Sequence, residues 1–145
     1  MSEEIGNTVS DAITKAPTLW ETMGGESTGE KNVRTMVDQF YDLMDLEPEF
    51  AGIRTLHPPS LDGSRDKLFW FLCGWMGGPD LYISQFGHPR LRARHMPYAI
   101  GIAERDQWLV CMGRAMQNVG LDPSLADRLL ESFLGTADWM RNKQN

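Results

Sequence analysis

Residues 87–97 read Gly87-His88-Pro89-Arg90-Leu91-Arg92-Ala93-Arg94-His95-Met96-Pro97. Proline fits the first turn of a helix and breaks its interior, so Pro89 and Pro97 bracket one short helical stretch. His95 follows Leu91 by four residues, which places both on the inner face of that stretch. A histidine so placed, among Arg90, Arg92 and Arg94, is either a structural residue or a metal ligand. Its own spacing does not choose between them.

The chain on either side carries helical periodicity and no convincing strand. Ser27-x-x-Glu30 has the form of a capping box at the head of a helix whose buried face would be Val33, Met36, Val37, Phe40, Tyr41 and Met44. Thr18–Met23 forms a short segment before it, set off by Gly24-Gly25. Pro48 fits the first turn of a further short helix, stopped by Pro58-Pro59. Ser60 or Asp62 is placed to cap the next, with Leu61, Leu68, Phe71, Leu72, Trp75 and Met76 along one side. Gly77-Gly78-Pro79 ends it. Residues 80–88 read as an apolar loop containing Leu81, Tyr82, Ile83 and Phe86. A helix from Ala103 or Glu104 to Val119 closes at Gly120, a left-handed cap. Asp122-Pro123 then caps a last helix with Leu125, Leu129, Leu130, Phe133, Leu134, Ala137 and Met140 as its buried stripe. The expected fold is all-α, with no internal repeat.

Composition narrows the function. The 145 residues suit one domain, with 41% hydrophobic and 23% charged residues and a formal net charge of -6. Lys and Arg are scattered, so a nucleic-acid partner, which requires a basic surface, is not expected. Leu68–Pro79 is the longest nearly apolar run and is about half the roughly 20 residues of a membrane span. The acidic start, with Glu3 and Glu4, is unlike a secretory signal. Cys73 and Cys111 form neither a CxxC nor a zinc spacing. Two reduced thiols in a cytoplasmic protein are expected. Ile5, Val9 and Ile13 suggest a short amphipathic helix before Pro17, giving an N-terminal extension over residues 1–17 and a domain over 18–145.

Taken together, three segments are far more specific than any one of them. Trp75-Met-Gly-Gly-Pro79, Gly87–Ile100 and Glu104-Arg-Asp-Gln-Trp-Leu-Val-Cys-Met112 resemble the group II truncated haemoglobins in order and nearly in spacing, over roughly Leu19–Trp139. The resemblance implies a truncated globin fold, a two-over-two helical sandwich around haem. It implies His95 as proximal iron ligand and Tyr41, His57 and Trp108 as distal groups. His57 is the least secure of these positions, and a solvent-facing loop histidine is its alternative. Ser64 matches the distal helix position that holds histidine in vertebrate globins, where a small side chain opens a ligand access path. Leu68, Phe71, Leu72, Phe86, Met96, Tyr98 and Ile100 then become haem contacts. Tyr82, Arg92 and Arg94 become propionate partners, with solvated surface charge as the alternative for the arginines. Without CxxCH, the implied cofactor is haem b, a non-covalent protohaem.

The implied function is binding of dioxygen, nitric oxide and carbon monoxide, with slow oxygen release from a polar distal pocket. Detoxification of nitric oxide or peroxide is the enzymatic alternative, and it needs a reductase that the sequence does not name. His57 or Tyr41 as an internal sixth ligand, a haemless helical sensor, and monomer against homodimer all stay open at this stage.

Overall fold

The computed structural model describes residues 16–144, so the expected helix around Ile5, Val9 and Ile13 lies outside the described residues. Among the described residues eight α-helices follow one another: α1 Leu19–Thr22, α2 Gly25–Leu46, α3 Ala51–Arg54, α4 Asp62–Trp75, α5 Leu81–Phe86, α6 Leu91–His95, α7 Ile102–Asn118 and α8 Pro123–Trp139. A 3-10 turn, Pro48–Phe50, leads into α3. No strand occurs among the described residues. The all-α expectation holds.

The framework consists of α2, α4, α7 and α8. Helix α2 packs against both α4 and α7, and α7 packs against α8. On α2 the expected apolar positions Val33, Met36, Val37, Phe40, Tyr41 and Met44 are all buried. They face Leu72, Cys73 and Met76 of the α4 region and Cys111, Met112, Ala115 and Met116 of α7. Each large side chain so buried contributes roughly 1.5–3 kcal/mol. The Cys111 thiol donates to the Phe40 carbonyl at 3.3 Å, which joins α7 to α2 inside the core. Both cysteines are free and buried. Burial pushes their thiols up to about 12, so they are inert core residues.

Several local expectations need correction. Helix α2 starts at Gly25, with Gly24 as its cap and no side-chain cap. Ser27 therefore lies inside the first turn and makes no capping box. The glycine pair supplies the turn instead, since Gly24 and Gly25 both have positive φ, 126° and 57°, where a side chain is strained. Residues 81–86 are helical, not loop. Proline and glycine set the limits of this turn and a half, because Pro79 precedes it and Gly87, at φ 77°, ends it. Leu134 is exposed at 45% and leaves the expected stripe of α8, whose fully buried members are Leu125, Leu129 and Phe133.

Other end signals act as read. Asp122 accepts from the Leu125 N–H at 3.1 Å, and Gly120 has φ 74°. The start of α4 departs from expectation: its cap is Leu61 with no side-chain cap, and Ser60, one residue further out, only accepts from the Asp62 N–H at 3.3 Å. Helix α7 begins at Ile102, where Glu104 accepts from the Gly101 N–H at 3.1 Å.

The Gly77-Gly78-Pro79 stop also has a packing role. The Trp20 N–H donates to the Met76 carbonyl at 2.8 Å, and the indole lies across two glycines. A Cβ on Gly29 would stand 2.9 Å from that ring, and one on Gly78 only 2.4 Å. Gly78→Ala should therefore force the indole out of place and cost about 1–3 kcal/mol, measurable as a lower urea midpoint. Unchanged stability would show that α1 is not held through this contact.

Candidate haem site

Helix α6 is five residues long and buries none of its side chains. Arg90 enters it at φ 48°, the only positive φ of a non-glycine residue among those described. The Arg94 Nε donates to the Pro89 carbonyl at 2.7 Å, folding the segment onto its own start. His95 is half-buried at its end. Its Nδ1 lies 2.6 Å from the Leu91 carbonyl. A carbonyl can only accept, so Nδ1 carries a proton, and in the neutral ring Nε2 keeps its lone pair. That is the tautomer a metal ligand needs, and the backbone bond is the usual device for holding it.

Tyr41 is 5% exposed. Its ring meets Phe40 at 5.0 Å and His57 at 5.8 Å, both edge-on. No hydrogen bond reaches the hydroxyl from the described residues, yet none of their fully buried polar side-chain atoms lacks a partner. Burial holds the phenol well above its ordinary range, against the opposing charge of Arg65, while Cys111 adds to the rise. Tyr41 is thus a neutral donor. The Arg65 guanidinium lies 5.9 Å from the tyrosine ring centre. Arg65 is held there by Asp38 at 3.2 Å and Asp42 at 2.6 Å.

His57 sits beyond α3 with its Nδ1 2.8 Å from the Ile53 carbonyl, the same arrangement as in His95. It is half-buried rather than a solvent-facing loop residue. Burial lowers its pKa, the Ile53 carbonyl opposes this, and the charges of Arg54 and His95 add to the lowering. The influence of His95 brings the two imidazoles into one electrostatic neighbourhood. Trp108, on α7, packs on Phe40 at 5.1 Å and Phe133 at 5.4 Å. Its indole N–H also has no acceptor among the described residues.

Ser64 and Leu68 are half-buried on α4, as is Phe71, while Leu72 turns fully into the core. Tyr82 is buried and Ile100 nearly so. Phe86, Met96 and Tyr98 are 45%, 52% and 44% exposed, apolar surface that asks for a cover. Arg92 and Arg94 pair with no acid among the described residues. Arg92 lies over the Trp139 ring and Arg94 over the Tyr82 ring. A separate groove of about 630 Å³ takes in Phe71, Trp75, residues 88–93 and Trp139, but not Tyr41, Trp108 or His95.

These features suit an iron porphyrin: an imidazole whose Nδ1 is held by the backbone, apolar surface that asks for a cover and, among the described residues, two donors without acceptors and two guanidiniums without an acid. The Bacterial-like globin family model matches residues 18–142. The chain belongs to the bacterial-like globins, among their group II truncated haemoglobins. A group 2 truncated haemoglobin of Bacillus subtilis is 36% identical over 118 residues, 81% of this chain and 87% of that protein. The solved group II 2-on-2 haemoglobin of Agrobacterium tumefaciens is 39% identical at a TM-score of 0.81, covering 90% of this chain and 98% of that one. A solved oxygen-avid truncated haemoglobin from Bacillus subtilis is 34% identical at 0.77, covering 87% and 100%. Membership carries haem iron and a gaseous ligand such as oxygen. No described helix is long and apolar enough to cross a membrane.

Two residues near the site had no motif to announce them. Arg65 touches the Tyr41 ring, and Asn142 reaches the corner after His95. Both act across long sequence separations, which helical periodicity does not encode.

The lowered pKa of His57 has a consequence for stability. The unfolded chain takes up that proton at its ordinary 6.5, the folded chain only at lower pH. Stability is unaffected well above 6.5 and falls as pH drops from there toward the folded value. Between about pH 7.5 and about pH 5.5, His57→Phe should lose less stability to urea than the parent. Equal losses in both would remove His57 as the acid-sensitive group.

Proposed function

We propose that this haemoglobin holds a non-covalent protohaem through the Nε2 of His95 and binds dioxygen tightly, releasing it slowly. The observation that carries the reading is the 2.6 Å bond from Nδ1 of His95 to the Leu91 carbonyl, which leaves one imidazole nitrogen free to ligate. Bound haem supplies a ferrous iron with an open position for a diatomic ligand. The two cysteines are buried and inert, consistent with attachment by ligation and packing alone. Leu68, Phe71, Leu72, Phe86, Met96, Tyr98 and Ile100 supply the apolar contacts, and Tyr82, Arg92 and Arg94 receive the propionates. Guanidinium groups suit that task because their planar donors match a carboxylate.

On the opposite side, Tyr41 and Trp108 offer hydrogen bonds to the ligand, and His57 lines the pocket beside Tyr41. A donor that already has a protein partner would have to give it up, and these two have none among the described residues. Hydrogen bonds to a charged acceptor are worth roughly 1.5–3 kcal/mol, and about 1.4 kcal/mol is tenfold in affinity. Two such donors make slow release the expected behaviour. The oxygen-avid relative from Bacillus subtilis supports the same reading. Ser64, small and half-buried, leaves room for small molecules to reach the pocket. Carbon monoxide and nitric oxide are expected as further ligands, and the working compartment is the cytoplasm.

The same access favours a second reading, oxidation of nitric oxide to nitrate with electrons from a reductase, or peroxidase-like turnover. Mixing the oxygen-loaded protein with nitric oxide and a reductant separates the two. Nitrate formed over many cycles supports the enzyme, and one stoichiometric round that then stalls supports binding.

His95→Ala should purify without a Soret band even when haem is supplied in excess. Normal haem uptake by that variant would overturn the iron assignment. Tyr41→Phe removes one donor, so its oxygen release in stopped flow should be on the order of 10- to 100-fold faster.

A further inference from the structure

Past the end of α8 the chain turns back across the fold. The Asn142 side chain accepts from the Ile100 N–H through Oδ1 at 3.0 Å. Its Nδ2 donates to the Tyr98 carbonyl at 2.7 Å and to the His95 carbonyl at 3.3 Å. The backbone N–H groups of Asn142 and Lys143 both donate to the Ile100 carbonyl, at 2.9 and 3.1 Å. A carboxamide offers one acceptor and two donor hydrogens, and here all are engaged on the corner between α6 and α7. The His95 carbonyl receives a second donor, the Tyr98 N–H, at 3.0 Å.

End-capping of α8 does not explain this arrangement. The last carbonyls of that helix are already met by backbone groups, Met140 donating to Thr136 and Ala137, and Arg141 to Asp138. The side chain of Asn142 is therefore spent on the corner and not on its own helix. His95 is gripped at two points, its ring by the Leu91 carbonyl and its own carbonyl by Asn142 and Tyr98. With both fixed, the imidazole has little freedom to swing about its Cα–Cβ bond.

We propose that Asn142 is a positioning residue for His95, through which the C-terminal tail sets the orientation of the proximal ring and its hold on the iron. This rests on the reading that His95 ligates haem. No other side chain reproduces the set: aspartate keeps the acceptor for Ile100 but loses both donors, and leucine loses all three bonds.

The test uses the full-length, haem-loaded protein with Asn142→Asp and Asn142→Leu. Three measurements apply: the iron–imidazole stretch of the ferrous form by resonance Raman, haem transfer to excess apomyoglobin, and amide exchange at Ile100. Leu130→Ala is the control, since Leu130 packs at Gly113 on the α7–α8 contact, and its loss should lower stability without reaching the corner. Both Asn142 variants should bind haem, shift the stretch and release haem on the order of tenfold faster. Ile100 should exchange faster in Asn142→Leu than in Asn142→Asp. An unshifted stretch in both variants, or the same shift in Leu130→Ala, overturns the proposal. Should Asn142→Leu fail to fold, Asn142→Asp decides, because it keeps the Ile100 bond. His95→Ala separates the two layers. Haem lost there while the Asn142 variants match the parent defeats this proposal alone. Haem retained there with an unchanged stretch defeats the ligand assignment beneath it.

Discussion

A five-residue helix does not hold itself together in water, because nucleating a turn costs more than so few backbone bonds return. Helix α6 is such a helix, and it buries no side chain. Its shape depends on ties made from outside its own ladder. The left-handed Arg90 sets its start, and the Arg94 side chain closes on Pro89. The imidazole of His95 is bonded to Leu91, and the His95 carbonyl is bonded to Asn142 and Tyr98. On the proposed assignment of His95, the hold on iron runs through this small element.

The framework around it is built by ordinary burial. Helices α2, α4, α7 and α8 place large apolar side chains into one core, and the Cys111 thiol finds an acceptor even there. Polar groups in such a core are nearly always satisfied. None of the fully buried polar side-chain atoms described lacks a partner. The Tyr41 hydroxyl and the Trp108 indole N–H, on the inner walls of the same helices, have no acceptor among the described residues, and the charge of Arg65 over the tyrosine ring tempers an environment that otherwise strongly favours the neutral phenol.

Charge pairing ties the distal wall together. Arg34 and Arg65 run between α2 and α4 through Asp38, Asp42 and Asp66. Exposed pairs of this kind contribute little individually, but they set the spacing of the two helices that carry Tyr41 and Ser64. The arginines of α6 behave differently. With no acid paired to them among the described residues, Arg92 and Arg94 rest on the rings of Trp139 and Tyr82.

Helix identity, the buried face of α2, the proline and glycine stops and the candidacy of His95 were legible in the residues, because each depends on neighbours within a turn or two. Local reasoning failed where two local signals competed. Ser27 has capping chemistry, but the positive φ of Gly24 and Gly25 starts the helix sooner. The apolar 81–86 segment shows too few turns for its period to be read. The amino-acid order by itself determined the long helices and their stops, and made His95 a candidate. Folding alone decided which ring nitrogen of that imidazole meets the backbone, the meeting of Tyr41 with His57, and the return of Asn142 across 47 residues to His95. The reason is physical: periodicity acts along one helix, whereas an unmet donor or a long-range clasp exists only once separate helices have packed.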